Sequence, residues 1–165
     1  MHKISGSTKI VGIIGYPISH SVSPEMHNAA FENLGLNYEY VPFEVKPEDL
    51  KRVLDGLRGE GVIGFNVTIP HKETIIPYLD EVTKMPRIIG AVNTVKNENG
   101  KLVGYNTDGP GFIESLKLDA GLEVKGKEIV VLGAGGAAKA VVVMLAEAEA
   151  KTIFITDIAK EKAEN

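Results

Sequence analysis

The segment KEIVVLGAGGAAKAVVVMLAEAEAKTIFITD, Lys127 to Asp157, leaves the chain few choices of fold. An apolar run ends in Gly133-Ala134-Gly135-Gly136-Ala137-Ala138, an apolar helix-forming stretch follows, and a second apolar run ends at Asp157. Strand, glycine turn, helix and strand make a βαβ unit, whose strands are parallel and whose sheet needs cover on both faces. Glycines in G-x-G-x-x-A order permit a tight turn and let backbone N–H groups approach a pyrophosphate, whose charge the helix N-terminus favours. An acidic residue closing the second strand is placed for a ribose 2′-hydroxyl. A glycine turn needed only for close helix packing is the weaker alternative, because the flanking strand and Asp157 supply the context that the bare motif lacks. Gly133, Ala134, Gly135, Gly136, Ala137 and Asp157 are the expected dinucleotide contacts. The unit stops at Asn165, inside what reads as the next helix, so it is expected to be truncated and the natural chain to continue.

The residues before this unit alternate strand and helix. KIVGIIGY (Lys9 to Tyr16) suits a strand buried on both faces. SPEMHNAAFENLG then reads as a helix, with Ser23 as N-cap, Pro24 at its first position and Gly35 ending it. NYEYVPFEV is the next strand. Pro47 opens a helix whose Leu50, Val53, Leu54 and Leu57 fall on one face. GVIGFNVTI is a third strand, with a short helix starting near Pro70 and a further helix expected between Asp80 and Ile89. AVNTVKNENGKLVGYN reads as two strands around the Asn99-Gly100 turn. The fold class is therefore α/β: a substrate domain over residues 1–108, then a linker helix from Pro110 to Ala120 and the first βαβ of a Rossmann-type domain over residues 109–165.

Composition narrows the partner. The 165 residues carry a net charge of -4 and scattered lysines, which argues against nucleic acid and for a small molecule. There are no cysteines, so thiolate catalysis, thiolate metal sites and disulfides are excluded. No apolar stretch reaches membrane-spanning length and Met1 to Lys9 lacks a signal-peptide core, so a cytoplasmic location is expected.

Polar groups gather where strands end. In YPISHSVSPEMHN, the serines Ser19, Ser21 and Ser23 lie between a strand and a helix N-terminus, a place that suits a carboxylate. Capping by Ser23 would explain that residue alone. NVTIPHK puts Asn66, Thr68 and Lys72 at the end of the third strand, where open α/β sheets bind ligands. Lys72 there is a candidate acid or base, or equally a solvated lysine on a first helical turn. Asn93 and Asp108 close two more strands, and Asp108 would pair with Lys72 or serve as an N-cap. Together these groups suit a polyhydroxylated ligand. His20 and His27 lack ligand spacing and carboxylate company, so no metal site is expected.

Taken in order, YPISHSVSPEMHN, GFNVTIPHK, GAVNTV, GYNTDG and VLGAGGAAKA resemble the shikimate dehydrogenase family over essentially the whole chain. The resemblance implies reversible NADPH-dependent reduction of 3-dehydroshikimate to shikimate, on the route to aromatic amino acids. It implies Ser21 and Ser23 at the substrate carboxylate, Asn66, Thr68, Asn93 and Asp108 at the ring hydroxyls, and Lys72 with Asp108 as the catalytic pair. A homodimer is left open. NADP-using members commonly carry Asn-Arg-Thr after the second nucleotide-domain strand, where this chain reads Asp157-Ile158-Ala159. NADP is expected on family grounds, with Lys160 or Lys162 reaching the phosphate, and NAD stays open because an acidic residue prefers a free 2′-hydroxyl. The competing readings are an NAD-dependent quinate/shikimate dehydrogenase and a noncatalytic relative that binds a cyclic hydroxy acid.

Overall fold

The computed structural model describes residues 4–59 and 61–164, apart from the side chain of Lys162, so the suggested phosphate contact of that lysine lies outside the described residues. In chain order the elements are β1 (Lys9–Gly15), α1 (Ser23–Asn33), β2 (Tyr38–Glu44), α2 (Leu50–Leu57), β3 (Val62–Val67), α3 (His71–Thr74), β4 (Glu81–Val82) and α4 (Lys84–Ile89). They continue with β5 (Thr94–Glu98), β6 (Lys101–Tyr105), α5 (Asp108–Leu118), β7 (Glu128–Leu132), α6 (Gly136–Glu147), β8 (Thr152–Thr156) and α7 (Lys160–Glu164). Two compact units result, one from Met1–Thr83 with Val92–Tyr105, the other from Lys84–Ala91 with Asn106–Asn165.

The first unit is built on a six-stranded sheet in the order β2-β1-β3-β5-β6-β4. β1 runs parallel to β2 and β3, whereas β5 is antiparallel to β3 and β6. That mixture has a functional consequence: the C-terminal end of β3 and the N-terminal end of β5 share one edge of the sheet, with Asn66 opposite Thr94. The apolar pattern expected for α2 is observed, since Leu50, Leu54 and Leu57 are buried in a cluster with Ile14, Phe65 and Val95. Burying each such leucine is worth about 1.5–3 kcal/mol, which anchors the helix to the sheet. The hairpin turns at Asn99 (φ 55°) and Gly100 (φ 91°), the paired positive angles that a two-residue turn of this kind requires.

Three local expectations are corrected. Ser23 is not the N-cap of α1: Val22 is, no side chain caps the helix, and Ser23 is its first residue with Pro24 second. The other end of α1 does close as expected, with Gly35 N–H donating to Glu32 O and Leu36 N–H to Phe31 O in a paired C-terminal motif. Between Asp80 and Ile89 the helix occupies only Lys84–Ile89, and Glu81–Val82 is a short strand beside β6, because Thr83 N–H and its hydroxyl both donate to Gly104 O. The helix expected from Pro110 begins earlier, at Asp108.

In the second unit β7 and β8 pair in parallel, Glu128 through Leu132 against Thr152 through Thr156, and α6 connects them. α5 lies close on α6: a side chain at Gly109 would meet Ala140 O at 2.9 Å. Ile89, Ala91 and Ala140 form the small core of this unit. Among the described residues no helix is long and apolar enough to cross a membrane.

Candidate active site

The sheet of the first unit collects polar groups at one end. After β1 the chain turns through Ser21, whose N–H donates to Ile18 O at 3.0 Å, and the Ser21 hydroxyl accepts the Ser23 N–H at 3.3 Å. Ser19 and His20 are exposed. Close packing fixes this turn against β3: a side chain at Gly15 would meet Thr68 Cγ2 at 2.5 Å and Ile18 Cδ1 at 2.9 Å. Thr68 is tied to the sheet by its N–H to Ile14 O at 2.9 Å.

α3 has only four residues, and neighbours rather than length hold it in place. His71 is fully buried and its Nε2 donates to Val45 O at 2.6 Å, which assigns the proton to Nε2. Its Nδ1 is buried with no hydrogen-bond partner among the described residues. On the next residue, Lys72 O accepts Val92 N–H at 2.7 Å. The Lys72 backbone is therefore pinned from both sides, and its half-buried side chain leaves from a fixed base.

Asn66 sits in a chain of hydrogen bonds that spacing alone did not suggest. Tyr40 donates its hydroxyl to Asn66 Oδ1 at 2.7 Å. The Asn66 amide donates to Thr94 Oγ1 at 3.1 Å and to Asn93 O at 3.3 Å. Thr94 in turn donates to Asn93 Oδ1 at 2.9 Å. Burial pushes the Tyr40 hydroxyl up to about 12, so the phenol remains a neutral donor. Asn28 clamps the tyrosine backbone, accepting Tyr40 N–H at 2.8 Å and donating to Tyr40 O at 3.0 Å. His27 stacks on its ring at 4.3 Å, and burial lowers that imidazole below the ordinary histidine value. Ser21, Ser23, Asn66, Thr68, Lys72 and Asn93 all belong to this first unit.

Asp108 belongs to the second unit, as the first residue of α5. Its N–H donates to Asn106 Oδ1 at 3.0 Å, and Asn106 Nδ2 donates to Ala91 O at 3.0 Å. The buried Asn106, rather than Asp108, therefore satisfies the helix start, which removes the capping explanation for the aspartate.

The glycine turn is formed as the motif requires. Gly133 has φ 110°, a conformation that a side chain would strain, and its N–H donates to Thr156 O at 2.6 Å. Gly135 is the N-cap of α6 and no side chain caps that end, so the first-turn N–H groups of Gly136 and Ala137 suit an anion. Nothing lies within 4 Å of where a Gly135 side chain would begin. Asp157 contributes to this turn directly: its Oδ2 accepts Ala134 N–H at 2.8 Å and its Oδ1 accepts Ala159 N–H at 2.9 Å. Among the described residues no cluster of His, Cys, Asp or Glu could hold a metal ion.

Known proteins supply the context for this geometry. Residues 13–95 match the sequence model of the shikimate dehydrogenase substrate binding domain. A shikimate dehydrogenase (NADP(+)) of Geobacter metallireducens is 58% identical over 154 residues, covering 93% of this chain and 54% of that protein. A crystal structure of a shikimate dehydrogenase in complex with NADP+ superposes with a TM-score of 0.92 at 54% identity, over 98% of this chain and 55% of that one. The shikimate 5-dehydrogenase of Listeria monocytogenes in complex with shikimate and NAD gives 0.91 at 42% identity, over 99% and 57%. The chain spans about half the length of the curated relatives it matches.

Proposed function

Because this chain belongs to the shikimate dehydrogenase family, we propose that its protein catalyses the reversible NADPH-dependent reduction of 3-dehydroshikimate to shikimate. The observation that supports the proposal is the hydrogen-bonded set of Asn66, Thr94 and Asn93 at one end of the first unit's sheet, with Lys72 on α3, which follows β3. In this reading residues 1–108 bind and transform the substrate and residues 109–165 begin the nucleotide-binding part. Ser21 and Ser23 receive the carboxylate. Asn66, Thr68, Asn93 and Asp108 receive ring hydroxyls, each of which needs a partner once it leaves water.

Nicotinamide, when bound, supplies or accepts the hydride at the ring carbon. Lys72 gives a proton to the oxygen on that carbon as the carbonyl is reduced, and takes it back in the reverse direction. Asp108 is the second member of the proposed catalytic pair, and its carboxylate accepts a ring hydroxyl. The glycine turn, with Gly133, Ala134, Gly135, Gly136 and Ala137, carries the pyrophosphate on the uncapped start of α6. Asp157 already accepts one backbone N–H of the turn, that of Ala134, which supports a role in shaping it beside any role at the ribose.

NADP is the proposed cofactor, in keeping with the relatives named for it, and NAD is the second reading because Asp157 closes β8 where an anionic 2′-phosphate would lie. Replacement Asp108→Asn tests the substrate site. It is expected to lower kcat and raise KM for shikimate by roughly tenfold or more each, because it removes the charge from a carboxylate that accepts a ring hydroxyl. Unchanged rate and affinity in initial-rate assays would remove Asp108 from the site.

A further inference from the structure

Asn106 is a polar residue buried two places before Asp108, only 7% exposed, and the proposed chemistry makes no use of it. Its side chain bonds in two directions. Oδ1 accepts the N–H groups of Asp108 at 3.0 Å and of Gly109 at 3.5 Å, while Nδ2 donates to Ala91 O at 3.0 Å. An amide suits this task because it carries an acceptor at one end and donors at the other. The partners also leave it one orientation, since a flip would set N–H against N–H and oxygen against oxygen. The start of a helix needs only the acceptor. The bond from Nδ2 to Ala91 therefore goes beyond capping.

We propose that Asn106 is a positioning residue for Asp108: by tying the first turn of α5 to the Ala91 backbone, it fixes the direction in which the Asp108 carboxylate meets a ring hydroxyl of the substrate. The proposal rests on the shikimate reading of Asp108. The anchor at the far end of the amide is firm. Ala91 is fully buried and packs with Ile89 and Ala140 in the small core of the second unit. The same turn of α5 is seated on α6 as well, because Gly109 lacks a side chain: a Cβ there would crowd Met144 Cγ and meet Ala140 O at 2.9 Å. Asn106 and Gly109 are buried, and Asp108, which lies between them in the chain, is half-buried. All of these residues belong to the second unit. With its backbone held in this way, the aspartate has only its side-chain torsions left to set, so the place of its carboxylate follows the turn that carries it. A displacement of about 1 Å at such a group can cost about 100-fold in rate.

In the full-length protein, Asn106→Ser keeps a small acceptor for the helix start, adds no charge and removes the tether to Ala91. It is expected to lower kcat/KM for shikimate by about 10- to 100-fold, through kcat and KM together, and to leave the dissociation constant of NADP⁺ within about twofold. A double-mutant cycle with Asp108→Ala then separates positioning from general damage. If Asn106 acts through Asp108, adding Asn106→Ser to Asp108→Ala changes kcat/KM and the dissociation constant of shikimate by no more than about twofold, because the side chain it places is gone. Losses that multiply overturn the proposal, since Asn106 would then act through the fold at large. A wild-type kcat/KM in Asn106→Ser overturns it too and leaves the residue a helix cap. Should Asn106→Ser not fold, Asn106→Asp, which keeps the oxygen and loses the amide donor, takes its place in the cycle. Failure of both to fold makes Asn106 an element of the fold alone and overturns the proposal as well. An unaltered full-length protein that neither binds nor oxidises shikimate overturns the functional reading itself, a result separable from all of these.

Discussion

Lys72→Ala should lower kcat for shikimate oxidation by roughly 10²–10⁴-fold, the range expected when a positioned proton donor is lost, and leave the dissociation constant of the nucleotide within about twofold. The structure makes this a clean substitution. The backbone of Lys72 is held by Val92 N–H and by the neighbouring His71 bond to Val45 O, neither of which involves the lysine side chain. The side chain is only half-buried, so its removal opens no sealed cavity and the protein should remain folded. Rapid-mixing kinetics with saturating shikimate would separate the chemical step from binding. A rise in KM alone, with kcat preserved, would make Lys72 a binding residue and end its assignment as proton donor.

Gly135→Asp should abolish useful dinucleotide binding while sparing the fold. Gly135 has φ −79° and ψ −178°, an extended conformation open to any residue, and no atom lies within 4 Å of the new Cβ. The substitution would place a carboxylate at the uncapped start of α6, where a capping aspartate favours the helix but occupies and repels the pyrophosphate position. Affinity for NADP⁺ in the full-length protein is expected to fall by about 100-fold or more, as binding to the helix N-terminus is replaced by charge repulsion. The thermal midpoint should change by no more than a few degrees, in line with a surface substitution that meets no neighbour. Calorimetric titration measures the first quantity and thermal melting the second. Unchanged affinity would show that the glycine turn serves only helix packing.

Much of the architecture could be read from periodicity because the physics is local. Leu50, Leu54 and Leu57 recur on one face, Asn99-Gly100 carries the turn chemistry of a hairpin, and the glycine motif sits between two apolar runs. What escaped depends on contacts between segments distant in the chain. Tyr40 reads as an ordinary aromatic residue in an alternating strand, and only the register of β2, β1 and β3 brings its hydroxyl to Asn66. Thr94 reads as a strand residue with a favourable β-branch, and its place opposite Asn66 follows from the antiparallel pairing of β3 with β5. Ser23 has the composition of an N-cap, yet the cap falls one residue earlier, at Val22. Asn106 was hidden beside the more conspicuous Asp108. An asparagine two residues before a helix start is a capping signal that the aspartate masked.

The central claim is that this chain carries the substrate site of a dehydrogenase acting on shikimate. Its most direct test is the shikimate-dependent formation of reduced nicotinamide by the longest natural form of the protein, with NADP⁺ and NAD⁺ run side by side and quinate as the comparison acid. The account predicts turnover on shikimate, faster than on quinate and faster with NADP⁺ than with NAD⁺. A folded full-length protein that turns over neither acid with either nucleotide would contradict it.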